Sequence, residues 1–139
     1  MESDVLRDLL IKRGNIFLSG HFDNISHEKF FVIIGEDEND FVGFFFINSA
    51  INQYILNRPE FRNLQIPLLK SNYKNFLHHD SFLDCHSLVK IKKDVLRKLL
   101  SDKNAKYKTE LLDSDLEKIL LLVRKSPLFS KAQKETFFK

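Results

Sequence analysis

Lys29-Phe30-Phe31-Val32-Ile33-Ile34-Gly35 and Phe41-Val42-Gly43-Phe44-Phe45-Phe46-Ile47, separated by Glu36-Asp37-Glu38-Asn39-Asp40, form the stretch that decides the fold. Two nearly continuous apolar runs flank an acidic, turn-forming connector, a pattern that predicts a β-hairpin. Runs without polar alternation belong to strands covered on both faces or held in a closed barrel. Asn15 to Phe22, with Ile16 and Leu18 alternating, predicts a strand just before them. Connections this short leave no room for crossover helices, so the sheet is predicted to be antiparallel. Six of the 14 Phe lie in the hairpin, in a chain without Trp. Consecutive Phe point to opposite sides of a strand, so one set is predicted to fill a barrel and the other to pack under helices or a partner subunit. These Phe lie in the acidic half of the chain, which argues for core packing over base stacking.

Outward from the hairpin, residues 1–13 predict a helix with Ser3 as its cap. Val5, Leu6, Leu9 and Leu10 share one face of it, and Gly14 is its stop. Residues 48–75 are polar and contain Pro59 and Pro67, which predicts a long excursion with a short strand at Gln65–Leu69. Further strands are expected near Ser81–Cys85 and Ser87–Ile91. After Lys93 the periodicity turns helical through Val95, Leu96, Leu99 and Leu100. Ser114-Asp115-Leu116-Glu117 has capping-box spacing ahead of Ile119, Leu120 and Val123, and Pro127 ends that helix. The tail from Ser130 shows little periodicity and is expected to be loosely docked. The expected architecture is one α+β domain, comprising an N-terminal helix (1–13), a small antiparallel barrel of five to seven strands (14–93) and a helical C-terminal part (94–139).

The 139 residues suit a single domain with a real core. A single Cys, Cys85, excludes an internal disulfide framework and a thiolate zinc cluster. No apolar run approaches the roughly 20 residues of a membrane span, and the acidic start Met1-Glu2-Ser3-Asp4 is unlike a signal peptide, so a cytoplasmic protein is expected. Residues 1–85 carry 8 Lys/Arg against 12 Asp/Glu, while residues 86–139 carry 14 against 7. The basic C-terminal part can steer phosphate, or simply be a solvated helical surface. Glycine-rich phosphate loops, a His-Glu-x-x-His helix and a serine nucleophile elbow are all absent from the sequence.

Polar groups gather in two places, Ser19–Lys29 and Asn75–His86. A His/Lys/Asp/Ser set without metal suits cleavage of RNA by its own 2′-hydroxyl. Histidine moves the protons, and lysine neutralises the charge that develops on phosphorus. His78 and His79 are adjacent, so on a strand they point to opposite faces and do not converge on one ion. Asn48-Ser49 follows the third strand directly, where a hydroxyl can meet a phosphate or merely end the strand.

These motifs resemble the PemK/MazF-like toxin family. The opening Gly14-Asn15-Ile16-Phe17-Leu18 matches the family's first strand, and Lys29-Phe30-Phe31-Val32-Ile33-Ile34 its second, introduced by a basic residue. Ile47-Asn48-Ser49 is similar to the strand ending in a Thr/Ser pair, and His79-Asp80-Ser81-Phe82-Leu83-Asp84-Cys85 to the later run. The resemblance covers about residues 14–130. It implies an SH3-like barrel and metal-independent cleavage of single-stranded RNA, with no cofactor and no membrane. It also implies a homodimer and a cognate antitoxin. Lys29 would stabilise the phosphorane, while Asn48 and Ser49 would hold the scissile phosphate. His21 or His79 would act as base or acid, with Asp80 orienting one of them and His78 meeting the substrate. Lys29 stands where the family usually has Arg, and Asn48 where it usually has Thr. The alternative is a non-catalytic module of the same fold that binds a protein or nucleic acid.

Overall fold

The computed structural model describes residues 2–20, 22 and 27–139. The central hairpin forms as its pattern requires: β2 (Lys29–Glu36) and β3 (Phe41–Asn48) pair antiparallel from Phe30↔Ile47 to Glu36↔Val42. Asp37 shapes the turn, its carboxylate accepting the backbone N–H groups of Asn39 and Phe41, each at 2.9 Å. The left-handed Asp40 (φ 62°) completes it. On the far side of β2 lies β1 (Asn15–Ser19). The far edge of β3 is shared, Phe41–Phe44 pairing with β6 (Val89–Lys92) and Ile47–Asn48 with β5 (Ser81–Asp84). Two further strands, β4 (Gln65–Leu68) on β5 and β7 (Ala105–Glu110) on β1, complete a seven-stranded antiparallel sheet in the order β4-β5-β3-β2-β1-β7. No pairing joins β4 to β7 among the described residues, so the sheet is open where a closed barrel was expected.

Side-chain alternation divides the apolar residues into two cores. One face holds Ile16, Val32, Phe45, Ile47 and Leu83 and packs under α5 (Asp113–Lys125) through Ile119, Leu120 and Val123. The other holds Phe17, Phe31, Ile33, Val42 and Phe44 and packs against Leu96 of α4 (Lys93–Ser101). Phe22, Phe31, Phe44 and Phe46 meet ring to ring at 4.8–5.6 Å on this second face. The polar excursion contains two one-turn helices, α2 (Gln53–Leu56) and α3 (Pro59–Arg62).

Two expectations are corrected, at the C-terminal part and at the start of its long helix. The C-terminal part is not wholly helical, because β7 is a strand in it. Its Ala105-Lys106-Tyr107-Lys108-Thr109-Glu110 sequence carries one buried side chain, and backbone pairing with β1 holds it. In α1 (Glu2–Leu10), the face that carries Val5, Leu6 and Leu9 is exposed. That helix is tied to α4 by Arg97, whose guanidinium spans both Asp8 oxygens at 2.7 and 2.9 Å. The bond also holds the Asp8 carboxyl below its ordinary range. At the start of α5 no side chain caps in the expected Ser114–Glu117 manner. Instead the buried Tyr73 hydroxyl donates to Asp115 and accepts the Leu112 N–H at 3.2 Å.

The tail is the largest departure. A capping box of Ser130 and Gln133 starts α6 (Lys131–Phe137), and Phe137 and Phe138 are buried. Arg13 donates to the carbonyls of Ile34 (2.7 Å), Phe137 (3.0 Å) and Lys139 (2.7 Å), and Arg124 donates to that of Phe138. The tail lies in a slot made by two glycines. A Cβ on Gly35 would sit 2.5 Å from the Phe137 carbonyl oxygen, and one on Gly43 would sit 2.8 Å from the Phe137 ring. A bulge between Ile33 and Gly35 brings the two glycines opposite each other. Gly35→Ala therefore forces backbone apart and is expected to cost about 1–3 kcal/mol. Phe138→Ala, which empties a core position, is expected to cost about 3–5 kcal/mol. Urea unfolding of the two variants against wild type measures both losses.

Candidate functional site

Where the β2–β3 ladder runs out, the strand ends leave polar side chains beside an apolar core. Lys29 opens β2 and Asn48 closes β3, one step beyond the Phe30↔Ile47 pair. The Lys29 ammonium donates to the Asn48 Oδ1 and lies 5.0 Å from the centre of the Phe46 ring. Burial pushes the Lys29 pKa down, and the Asp84 carboxylate partly opposes that shift. A cleft of about 550 Å³ opens over this pair, a volume in the range of small-ligand sites.

Several segments wall the cleft besides the start of β2. The chain after β3 contributes Ser49 and Asn52, and α2 contributes Ile55. From β4 and β5 come Gln65, Ser81 and Asp84, and the loop before β5 adds Phe76, Leu77, His78 and His79. Tyr73 anchors this loop to α5, as its bonds to Asp115 and Leu112 show, and desolvation pushes its phenol well above the usual range. The lining thus combines apolar side chains with amide, hydroxyl, imidazole, carboxylate and ammonium groups.

His79 Nδ1 lies 3.1 Å from the Asp80 carbonyl oxygen. A carbonyl only accepts, so in this contact Nδ1 is the donor. Ser81 Oγ lies 3.3 Å from the same Nδ1 and donates to the His79 carbonyl at 3.2 Å, which fixes the loop.

Lys29, Asn48, Ser49, His78 and His79 all line the cleft. Asp80 does not share it, because its carboxylate accepts the Lys70 backbone N–H at 2.8 Å, beside Leu69, Ser71 and Lys74. His21 lies outside the described residues. Among the described residues no group of three or more His, Cys, Asp or Glu is placed to hold a metal ion, and no helix is long and apolar enough to cross a membrane.

The structure adds Asp84 and His86, to which the sequence assigned no role. Asp84 Oδ1 meets His86 Nδ1 and accepts from Gln65 Nε2 at 2.7 Å and from the His86 backbone N–H at 3.3 Å. Their i, i+2 spacing at a strand end puts both on one face, which is the signal that was available. Between them Cys85 points the other way into the core. Burial above all, and then the Asp84 charge, raise its thiol pKa well above the ordinary value, so it is a packed, protonated thiol.

Compared with known proteins, the chain matches no family model and no curated protein.

The lowered Lys29 pKa has a measurable sign. Between that folded value and the ordinary 10.5 the unfolded chain binds the extra proton, so Lys29 makes stability rise with pH across this window. Lys29→Met is expected to flatten the rise. Thermal melts of both proteins from pH 8 to 11 report the difference.

Proposed function

We propose that the cleft cleaves single-stranded RNA without a metal ion, by attack of the 2′-hydroxyl on the adjacent phosphate. One observation carries this reading: a partly desolvated lysine, bonded to Asn48, shares a cleft with Ser49 and His79. His79 Nε2 takes the 2′-hydroxyl proton, and the 2′-oxygen bonds to phosphorus. The bond from phosphorus to the 5′-oxygen then breaks, giving a 2′,3′-cyclic phosphate. The leaving oxygen takes its proton from a histidinium of the cleft, where His78 and His27 stand. Lys29 exchanges its bond to Asn48 for one to a phosphate oxygen and offsets the charge of the phosphorane. Asn48 and Ser49 hold the same phosphate. The Asp84 charge partly offsets the effect of burial on Lys29.

The same reading treats the sheet as a small SH3-like barrel left open between β4 and β7, supported by β3, which holds β2 on one edge and two strands on the other. Its partners are RNA, an antitoxin protein that covers the cleft, and a second copy of the chain.

The test incubates purified protein with a long single-stranded RNA in EDTA. Fragments ending in 2′,3′-cyclic phosphate and 5′-hydroxyl are expected. Lys29→Ala and His79→Ala are each expected to slow cleavage by about 100-fold or more. RNA that is bound but left intact by the wild type would sink the catalytic reading and leave the non-catalytic module.

A further inference from the structure

Beside the cleft, five side chains form a row from its acidic corner to solvent. Asp84 lines the cleft and pairs with His86. The His86 ring lies 4.9 Å from that of Phe61, and Phe61 stacks on Tyr54 at 6.0 Å with the rings tilted by 27°. The Arg58 guanidinium then lies over the Tyr54 ring at 3.6 Å. The row ends in water, with Tyr54 55% exposed.

The row is held in place. Asn52 caps α2, its Oδ1 accepting the Ile55 N–H at 2.9 Å, and both Asn52 and the buried Ile55 also line the cleft. Arg58 Nη1 donates to the Tyr54 carbonyl at 3.1 Å, which pins the guanidinium to the ring and uses one of its five donors. Arg62 follows on α3, bonded through Nη1 to the Leu56 carbonyl at 3.2 Å. Arg58 and Arg62 are two of the four arginines in the otherwise acidic first 85 residues. A planar cation backed by a ring, on the rim of the proposed phosphate cleft, matches what a nucleotide of an unpaired strand needs. The base stacks on the outer face of the guanidinium, which Tyr54 holds flat, and the N–H edge of the guanidinium meets the phosphate.

We infer that Tyr54 and Arg58 form a nucleotide-binding subsite outside the cleft, stacking an unpaired base of the RNA strand whose neighbouring phosphate occupies the Lys29 cleft. The inference rests on the RNA-cleaving reading and adds to it the basis of single-strand selectivity. In a duplex both faces of each base are already stacked, so the Arg58–Tyr54 pair has nothing to gain.

The experiment measures anisotropy of a fluorescein-labelled, uncleavable 2′-O-methyl RNA 12-mer. The same strand without bases and the strand annealed to its complement serve as comparisons. Wild type is expected to bind the single strand at least 10-fold more tightly than either. Tyr54→Ala is expected to lose about 10-fold on the single strand and to leave the abasic strand unchanged. Tyr54→Phe is expected to restore binding, and Arg58→Ala to weaken both single-stranded probes. If Tyr54→Ala and Arg58→Ala bind within twofold of wild type while Lys29→Ala binds weakly, the subsite is overturned and the cleft stands. If the wild type binds none of the three probes, the RNA reading and the subsite fall together. Tyr54 is exposed, so its variants leave the core intact.

Discussion

The whole structure depends on burying β3 on both faces while pairing it along both edges. A strand that carries Phe44 and Phe45 in succession cannot leave either face in water. Phe44 therefore requires α4 and its neighbours on one side, and Phe45 requires α5 and the tail on the other. Its backbone must also be satisfied along its length. β2 takes one edge, while β6 and β5 divide the other. That division separates the molecule into a closed end, where β6 leads into α4, and an open end, where β5 and the segment after Asn48 part around a cleft.

The cleft is a consequence of where pairing stops. Inside the ladder the backbone is paired, apart from the bulge at Ile34, and most side chains are packed. At Lys29 and Asn48 the pairing ends, and polar side chains reach solvent beside a dry core. The same juxtaposition that depresses the lysine's pKa partly desolvates its amine. Asp84 opposes the shift from across the cleft. The tail acts at a distance. By filling the Gly35–Gly43 slot it closes the core beneath β2 and β3 and holds their relative position.

Much of this was legible in residue order, for a physical reason. The hairpin strands begin and end within about one residue of their expected bounds, because their signal is local: apolar runs broken by Glu36–Asp40. β7 was illegible because its stability comes from hydrogen bonds to β1, and its own side chains are mostly charged. The tail misled because Phe137 and Phe138 are adjacent and show no period, and only the glycine slot explains their burial. In α1 the apolar face was legible, but its burial was not, since no residue of the helix specifies what lies opposite. Among the candidate side chains, those next to strand ends meet in the cleft. Asp80 turns instead to the Lys70 backbone, a choice that one step along a loop decides.

The sequence by itself determined an antiparallel α+β domain built on two Phe-rich strands, with basic charge late in the chain and His, Lys, Asn and Ser near strand ends. Alternation and turn chemistry act over a few residues, so they survive in one dimension. Tertiary structure alone decided that the sheet stays open, that the tail docks, that Asp84 shares the cleft with Lys29, and that Asp84 and His86 lead to the Tyr54–Arg58 row. Those are contacts between segments tens of residues apart, selected by complementary shape and by the need to satisfy buried polar groups. Neither of these leaves a periodic mark in residue order.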